Sequence, residues 1–90
     1  MNDLFKALAD PQRRKILKLL KKKNMNVGDI LKNFEMTGAS LNHHLNVLRN
    51  AGLVLSEKKG QHIIYSINTT VFQEVLEWIY DLKGDKDETK

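Results

Sequence analysis

Residues 37–67 read TGASLNHHLNVLRNAGLVLSEKKGQHIIYSI, and within them the spacing of the apolar residues changes from a helical period to short β-branched runs. In the first half the leucines recur at three- or four-residue spacing: Leu41, Leu45 and Leu48. This spacing predicts a helix with one buried face. Thr37 offers a hydroxyl that caps the start of that helix, and Gly52 supplies its end.

The second half of the stretch predicts a β-hairpin. Residues 53–57 and 62–67 are rich in apolar and β-branched side chains, and the basic segment 58–61 separates them. Gly60 provides the positive φ that a tight turn needs. The hairpin therefore has a basic tip.

Three further helices are predicted upstream. The first covers residues 3–9, and the second starts after Asp10 with a proline, because Asp caps free amide groups and Pro fits the first helical position. This second helix ends near Lys23. Asn26 then caps a helix of about two turns over residues 27–34.

A last helix is predicted downstream of the hairpin. Thr69 or Thr70 caps it, it runs to about Lys83, and residues 84–90 form a charged tail. We therefore predict one domain over residues 1–83. Its element order is α-α-α-α-β-β-α, a mainly α fold with a β-hairpin wing, which is the winged helix-turn-helix.

Length and composition are consistent with a single small domain. The chain has 90 residues, of which 41% are hydrophobic, enough for one compact core and too few for two. The absence of cysteine is uninformative about the redox compartment, but the sequence has no apolar run long enough to span a membrane and no signal-type N-terminus, so we expect a cytoplasmic protein. At this size a second copy of the chain is the expected source of added stability.

Charge is unevenly distributed along the chain. The formal net charge is +4 overall, with +7 over residues 1–68 and −3 over residues 69–90. A basic surface of this kind suits a polyanion such as nucleic acid, and it equally suits a solvated, lysine-rich face. The charge alone leaves both interpretations open.

The exposed face of the helix that follows Thr37 is polar and carries no acid. Between Glu35 and Glu57 the sequence has no Asp or Glu, so no carboxylate there repels phosphates. Asparagine pairs with adenine through two hydrogen bonds, and histidine donates to a base or a phosphate. A merely solvated face usually carries Lys and Glu, which favours groove contact here. The candidate DNA contacts on the helix and the hairpin tip are Thr37, Ala39, Ser40, Asn42, His43, Asn46, Lys58, Lys59 and Gln61.

Three blocks of sequence resemble the arsenic-repressor family of transcription regulators: residues 7–17 (ALADPQRRKIL), 40–54 (SLNHHLNVLRNAGLV) and 59–67 (KGQHIIYSI). Their order is that of the family, and the resemblance extends over roughly residues 4–82. It implies a homodimeric winged-helix repressor that binds double-stranded operator DNA. It also implies that the first and last helices form the dimer interface and that the third and fourth enter the major groove.

The resemblance also bears on metal binding. Metal-sensing members of the family carry paired cysteines in the helix that corresponds to residues 27–34, or acidic and histidine ligands on the last helix. This chain has no cysteine, and residues 69–83 contain Glu74, Glu77 and Asp81 but no histidine. It therefore resembles the metal-independent members, including short autorepressors of the sporulation-delay type, and no metal or cofactor is predicted.

The histidines and serine of residues 40–44 do not predict a catalytic site. His43 and His44 point about 100° apart on a helix and cannot chelate one ion from one face. Ser40 and His44 lie four residues apart, but no third group orients them and no oxyanion donors are evident. We predict a non-enzyme in which His44 is a half-buried structural residue and His43 faces outward.

The last helix carries more apolar surface than one small core needs. Two adjacent apolar stripes run along it, and Trp and Tyr commonly anchor interfaces, which favours a dimer over a helix wrapped by its own domain. The predicted interface residues are Leu4, Phe5, Leu8, Phe72, Val75, Trp78, Ile79 and Leu82. Two other functions stay open: a helical protein-interaction module and an RNA-binding winged helix.

Overall fold

A computed structural model describes residues 2–84. The elements in chain order are α1 (Asn2–Leu8), α2 (Pro11–Lys22), β1 (Met25–Asn26), α3 (Val27–Leu31), α4 (Gly38–Asn50), β2 (Val54–Lys59), β3 (His62–Ile67) and α5 (Thr69–Lys83). This order confirms the mainly helical fold with a β-hairpin wing. Residues 85–90 of the predicted charged tail lie outside the described residues, and the domain boundary at residue 83 stays a prediction.

Three of the predicted helix caps form as expected. Asp10 Oδ1 accepts from the backbone N–H of Gln12 at 2.7 Å and of Arg13 at 3.2 Å. Asn26 Oδ1 accepts from the N–H of Asp29 at 2.8 Å. The Thr37 hydroxyl accepts from the N–H of Ser40 at 3.0 Å. Each cap satisfies an amide that the first turn of its helix leaves without a partner.

The C-terminal end of α4 is closed by Gly52, as predicted. Its φ is +79°, in the left-handed region that favours glycine. The N–H of Gly52 donates to the carbonyl of Arg49 at 2.9 Å, and the N–H of Leu53 donates to the carbonyl of Leu48 at 3.0 Å. These bonds satisfy the last carbonyls of the helix and turn the chain directly into β2.

The wing is a two-stranded hairpin with a third, very short strand at its edge. β2 and β3 pair antiparallel, with Lys59 opposite His62, so the turn consists of Gly60 and Gln61 alone. Gly60 has φ +63°, as a two-residue turn with glycine at its first position requires. Lys58 and Lys59 therefore belong to β2 and not to the connection. β1, which was not predicted from the sequence, pairs with β3 to give the order β1-β3-β2.

The predicted end of the third helix needs correction. α3 ends at Leu31 and not at Phe34, because the next amides make tighter bonds three residues back: Asn33 N–H to the Ile30 carbonyl at 3.0 Å and Phe34 N–H to the Leu31 carbonyl at 3.0 Å.

The predicted cap of α5 is wrong as well. The cap position belongs to Asn68, and neither Thr69 nor Thr70 fills it, because both already lie inside the helix. The Asn68 side chain makes no capping bond either. Its Nδ2 donates instead to the carbonyl of Gly52 at 2.9 Å, which fastens the start of α5 to the end of α4.

α4 lies at the centre of the core. Its three leucines at positions 41, 45 and 48 are completely buried. The other buried apolar residues come from every other helix and from all three strands, with a further one between α4 and β2: Leu4, Ala7, Ile16, Leu17, Leu20, Met25, Ile30, Leu53, Val54, Tyr65 and Val75. With one face fixed in this core, the opposite face of α4 is held outward in a defined orientation.

Candidate nucleic-acid interface

The outward face of α4 presents the residues that were predicted from the sequence. Ala39, Ser40, Asn42, His43 and Asn46 are all exposed, while the leucines of the same helix are buried. Thr37, at the cap, is exposed as well. The predicted division of α4 into a core face and a solvent face is therefore confirmed, whereas DNA contact by these residues stays a prediction.

The polar groups on this face differ in how free they are to bind a ligand. Within residues 2–84, the side chains of Asn42 and His43 form no hydrogen bond. Asn46 Oδ1 accepts from Arg49 Nη2 at 3.0 Å, which leaves the amide NH₂ of Asn46 as a donor. The Thr37 hydroxyl is occupied by the cap of α4. Asn42 and His43, together with the Ser40 hydroxyl, thus offer the least engaged donors and acceptors in the described residues.

His44, the neighbour of His43, is anchored in the interior. It is half-buried, and Arg13 Nη1 donates to its Nδ1 at 3.2 Å. The predicted half-buried position of His44 is confirmed, but its hydrogen-bond partner was not found from the sequence. The two residues are 31 positions apart, and only the packing of α2 on α4 brings them together.

The carboxyl of Asp10 interacts with Arg13, the same residue that binds His44. Its slight burial raises the pKa of the carboxyl, but the backbone N–H groups of Arg13 and Gln12 and the positive charge of Arg13 outweigh this and lower the pKa below its usual value. The carboxylate that caps α2 is therefore held in its charged form, next to the Arg13 guanidinium.

The wing tip carries the second group of predicted DNA contacts. Lys58, Lys59 and Gln61 are all exposed. Lys59 Nζ lies 3.9 Å from Glu57 Oε1, a contact between side chains that are 62% and 74% exposed. Lys58 lies on the other face of β2, opposite Ile63, and makes no ion pair within the described residues. Lys58 is therefore the less neutralised of the two charges.

A separate apolar surface is formed by α1 and α5. Of the predicted interface residues, Leu4 and Val75 are buried in the core of the protomer, and Leu8 and Phe72 are half-buried. The exposed members have relative exposures of 38% for Phe5, 40% for Trp78, 46% for Ile79 and 69% for Leu82. Leu76, a member of the apolar stripes predicted on this helix, is exposed as well, and so is Tyr80, which was not predicted as part of them. The Phe5 and Trp78 rings lie 5.4 Å apart between centroids, which joins the two helices.

The described residues show whether the chain has the side-chain groups or helices that metal binding, catalysis or membrane insertion would need. Over residues 2–84, no three His, Cys, Asp or Glu side chains come together as a metal site would require. Ser40 and His44 are not hydrogen-bonded to each other in this part of the chain, and His44 Nδ1 accepts from Arg13 instead. None of the five described helices has the length and apolarity to cross a bilayer.

The comparisons with known proteins agree on one family. Residues 10–56, which include α2 to α4, match the family model described as bacterial regulatory protein, arsR family. The chain is 48% identical to the transcriptional repressor SdpR of Bacillus subtilis, over 97% of this chain and 99% of that protein. It is 32% identical to the transcriptional activator HlyU of Vibrio cholerae, over 88% of this chain and 73% of that protein. A crystal structure of an ArsR family transcriptional regulator superposes with a TM-score of 0.86 at 29% identity, covering 99% of this chain and 91% of the other.

Proposed function

The chain belongs to the arsR family of bacterial regulatory proteins, a family of transcription regulators and not of enzymes, and from this premise we propose that it is a sequence-specific DNA-binding repressor. It acts in the cytoplasm as a homodimer on an inverted-repeat operator. α4 enters the major groove, and the wing contacts the neighbouring backbone or minor groove.

The outward face of α4 is the observation that carries this proposal. It is exposed, it is free of carboxylates, and it presents unengaged amide and imidazole groups at Asn42 and His43. These groups suit the donors and acceptors on base edges. The buried leucines of the same helix support the proposal further, because they hold that face rigidly toward solvent.

Repression is favoured over activation by the relative that matches almost the whole chain. SdpR, at 48% identity, is named as a repressor, whereas HlyU, at 32%, is named as an activator. The exposed apolar surface of α1 and α5 supports the homodimer. Two protomers related by a twofold axis present two copies of α4, which suits an inverted repeat with half-sites about 34–36 Å apart.

Binding to selected DNA tests this function directly. Genomic fragments are selected on the purified protein, and the affinity of the recovered duplex is measured by fluorescence anisotropy across a salt series. Scrambled DNA and a duplex RNA of the same sequence are the controls. We expect the recovered duplex to contain an inverted repeat and to bind at least tenfold more tightly than either control. Equal affinity for all three duplexes would contradict a sequence-specific DNA-binding function.

We further propose that DNA binding is independent of metal ions. The chain has no cysteine, and the carboxylates of α5 have no histidine beside them, so a zinc or soft-metal site lacks its preferred ligands. Stoichiometric zinc, cadmium or arsenite should leave the affinity for the recovered duplex unchanged within about threefold. A tenfold loss of affinity with any of the three would refute metal independence.

A further inference from the structure

Arg13 joins the end of α1 to the proposed DNA-reading helix. Its Nε donates to the carbonyl of Ala7 at 2.9 Å, and its Nη2 donates to the carbonyl of Lys6 at 3.1 Å. Its remaining terminal nitrogen, Nη1, donates to His44 Nδ1 on α4 at 3.2 Å. All three nitrogens of one guanidinium are therefore engaged, two on α1 and one on α4.

The chemistry of the two groups fixes the direction of the bond to α4. A guanidinium only donates, so the Nδ1 of His44 must be the acceptor, and the neutral ring carries its proton on Nε2. His44 is half-buried and follows directly on His43. The bond from Arg13 therefore reaches the same turn of α4 that presents Asn42 and His43 to solvent.

The other end of this connection reaches the apolar surface of α1 and α5. The carbonyls that Arg13 binds belong to the last turn of α1. That of Lys6 also accepts from the backbone N–H of Ala9 at 3.2 Å, so Arg13 adds a second donor there. Phe5, the residue before Lys6 in the same helix, contacts Trp78 of α5. A continuous set of contacts thus runs from Trp78 through α1 and Arg13 to α4.

We propose that Arg13 is a positioning residue that, through His44, sets the orientation of α4 relative to the dimer-forming helix α1. This inference rests on the proposed function. In a homodimer built on α1 and α5, the same contacts fix the separation and rotation of the two DNA-reading helices. Arg13 therefore determines which spacing of half-sites the dimer accepts, without contacting a base.

The chain offers a matched control in the next residue. Arg14 Nη1 donates to the carbonyl of Leu8 at 2.8 Å, and the described residues give Arg14 no bond to α4. Both arginines lie on α2 and both satisfy the end of α1, but only Arg13 also reaches His44. Replacing each by Lys keeps the charge and removes the planar fork that binds several acceptors at once.

His44 supplies a second, independent pair of variants. In His44→Asn the side-chain oxygen is the same number of bonds from Cα as Nδ1, so an acceptor for Arg13 is retained. In His44→Leu a methyl group takes that place and no acceptor remains. Neither change touches the bonds from Arg13 to α1, so these variants keep α1 attached to α2.

The experiment measures affinity for the selected inverted repeat, for a single half-site, and for repeats lengthened by one or two base pairs between half-sites. Sedimentation and circular dichroism establish that each variant is a folded dimer. We expect Arg13→Lys and His44→Leu to lose about tenfold in preference for the native spacing over the lengthened repeats, while half-site affinity changes by less than threefold. Arg14→Lys and His44→Asn should keep the native preference.

Several results would overturn the proposal. If Arg13→Lys and His44→Leu weaken full-site and half-site binding by the same factor, the contact supports the fold or the DNA contact and does not set spacing. If His44→Asn behaves like His44→Leu, the hydrogen bond is not the cause. Wild-type protein that binds the half-site tightly but ignores spacing also refutes the proposal while leaving DNA binding intact. Failure of the wild type to prefer any DNA refutes the proposed function itself.

Discussion

Asn42 and His43 offer DNA a different kind of contact from the wing lysines. Their hydrogen bonds are directional, and both side chains are exposed and unengaged within residues 2–84. Directional groups discriminate between base pairs, whereas an ammonium group attracts any phosphate. The balance between specific and random binding should therefore depend on these two residues more than on the lysines.

Replacing Asn42 or His43 by Ala should reduce binding to the selected operator by about 1–3 kcal/mol and change binding to scrambled DNA little. The measurement is fluorescence anisotropy with both duplexes at fixed salt. Asn50→Ala is the matched control, because Asn50 is an exposed asparagine at the far end of the same helix. Equal losses on both duplexes would mean that the base-reading face lies elsewhere.

Asp10 provides a prediction about pH, because its pKa is lowered in the folded protein. A carboxyl with a depressed folded pKa contributes stability above its unfolded pKa of about 3.9, and this contribution is lost as the pH falls through the folded pKa. Asp10→Ala removes the cap of α2 and should cost about 1 kcal/mol at neutral pH.

Asp10→Asn keeps a capping oxygen but does not titrate. Its stability should therefore stay near that of the wild type at neutral pH and decline less in acid. Thermal unfolding at pH 7 and at pH 3 checks both variants, with Asp3→Ala as a control in the first turn of α1. If the Asn variant loses as much stability in acid as the wild type does, Asp10 is not a source of acid sensitivity.

At the scale of the elements, the features that could be predicted from sequence are those fixed by neighbours in the chain. The caps at Asp10, Asn26 and Thr37 each bind an amide two or three residues away, so local residue types determine them. The same holds for the buried leucine face of α4. The outward placement of Asn42 and His43 could be predicted from that buried face, because residues on the opposite side of the helix must point toward solvent.

Features that depend on contacts between residues far apart in the chain were not predicted from the sequence. β1 contains two residues and has no pattern of its own, and it exists only because it pairs with Tyr65 and Ile64 of β3. The Asn68 side chain bonds to Gly52, 16 residues away, instead of capping α5. The partner of His44 lies on another helix. In each case tertiary packing determines the bond, and no local signal reports it.

The wing as an element should supply affinity without specificity. Changing Lys58 or Lys59 to Ala should weaken operator and scrambled DNA alike and reduce the slope of log affinity against log salt by about one for each phosphate that is no longer neutralised. Lys58 should have the larger effect, because Glu57 partly neutralises Lys59. A salt series on both duplexes is the measurement.

The control for the wing is Lys18→Ala, an exposed lysine of α2 that lies near Phe72, at the opposite end of the hairpin from its tip. It should leave the salt slope unchanged. A specificity change in Lys58→Ala, seen as a loss on the operator alone, would mean that the wing reads sequence and does not merely contact the backbone.

The whole molecule is elongated, with extents of 53 × 24 × 20 Å. α5 has 15 residues, and only Val75 among them is buried in the protomer. A helix is normally stabilised by burying one apolar face, and a single buried residue is little for one of this length. The exposed side chains of Leu76, Trp78 and Ile79 extend that face beyond the core. A second copy of the chain would cover it.

Ile79→Asp tests this assembly. An aspartate placed in a dimer interface would be buried without a partner, so the dimer dissociation constant should rise by about 100-fold or more. Ile63→Asp is a closely matched control, because Ile63 on the wing is 45% exposed and Ile79 is 46% exposed. It should remain a dimer. Sedimentation across a concentration series measures both variants and the wild type.

Monomers of Ile79→Asp carry one α4 each, so their affinity for the inverted repeat should fall to that for a half-site. A wild-type chain that is monomeric at micromolar concentration, or an Ile63→Asp variant that dissociates as readily as Ile79→Asp, would mean that α1 and α5 do not form the interface.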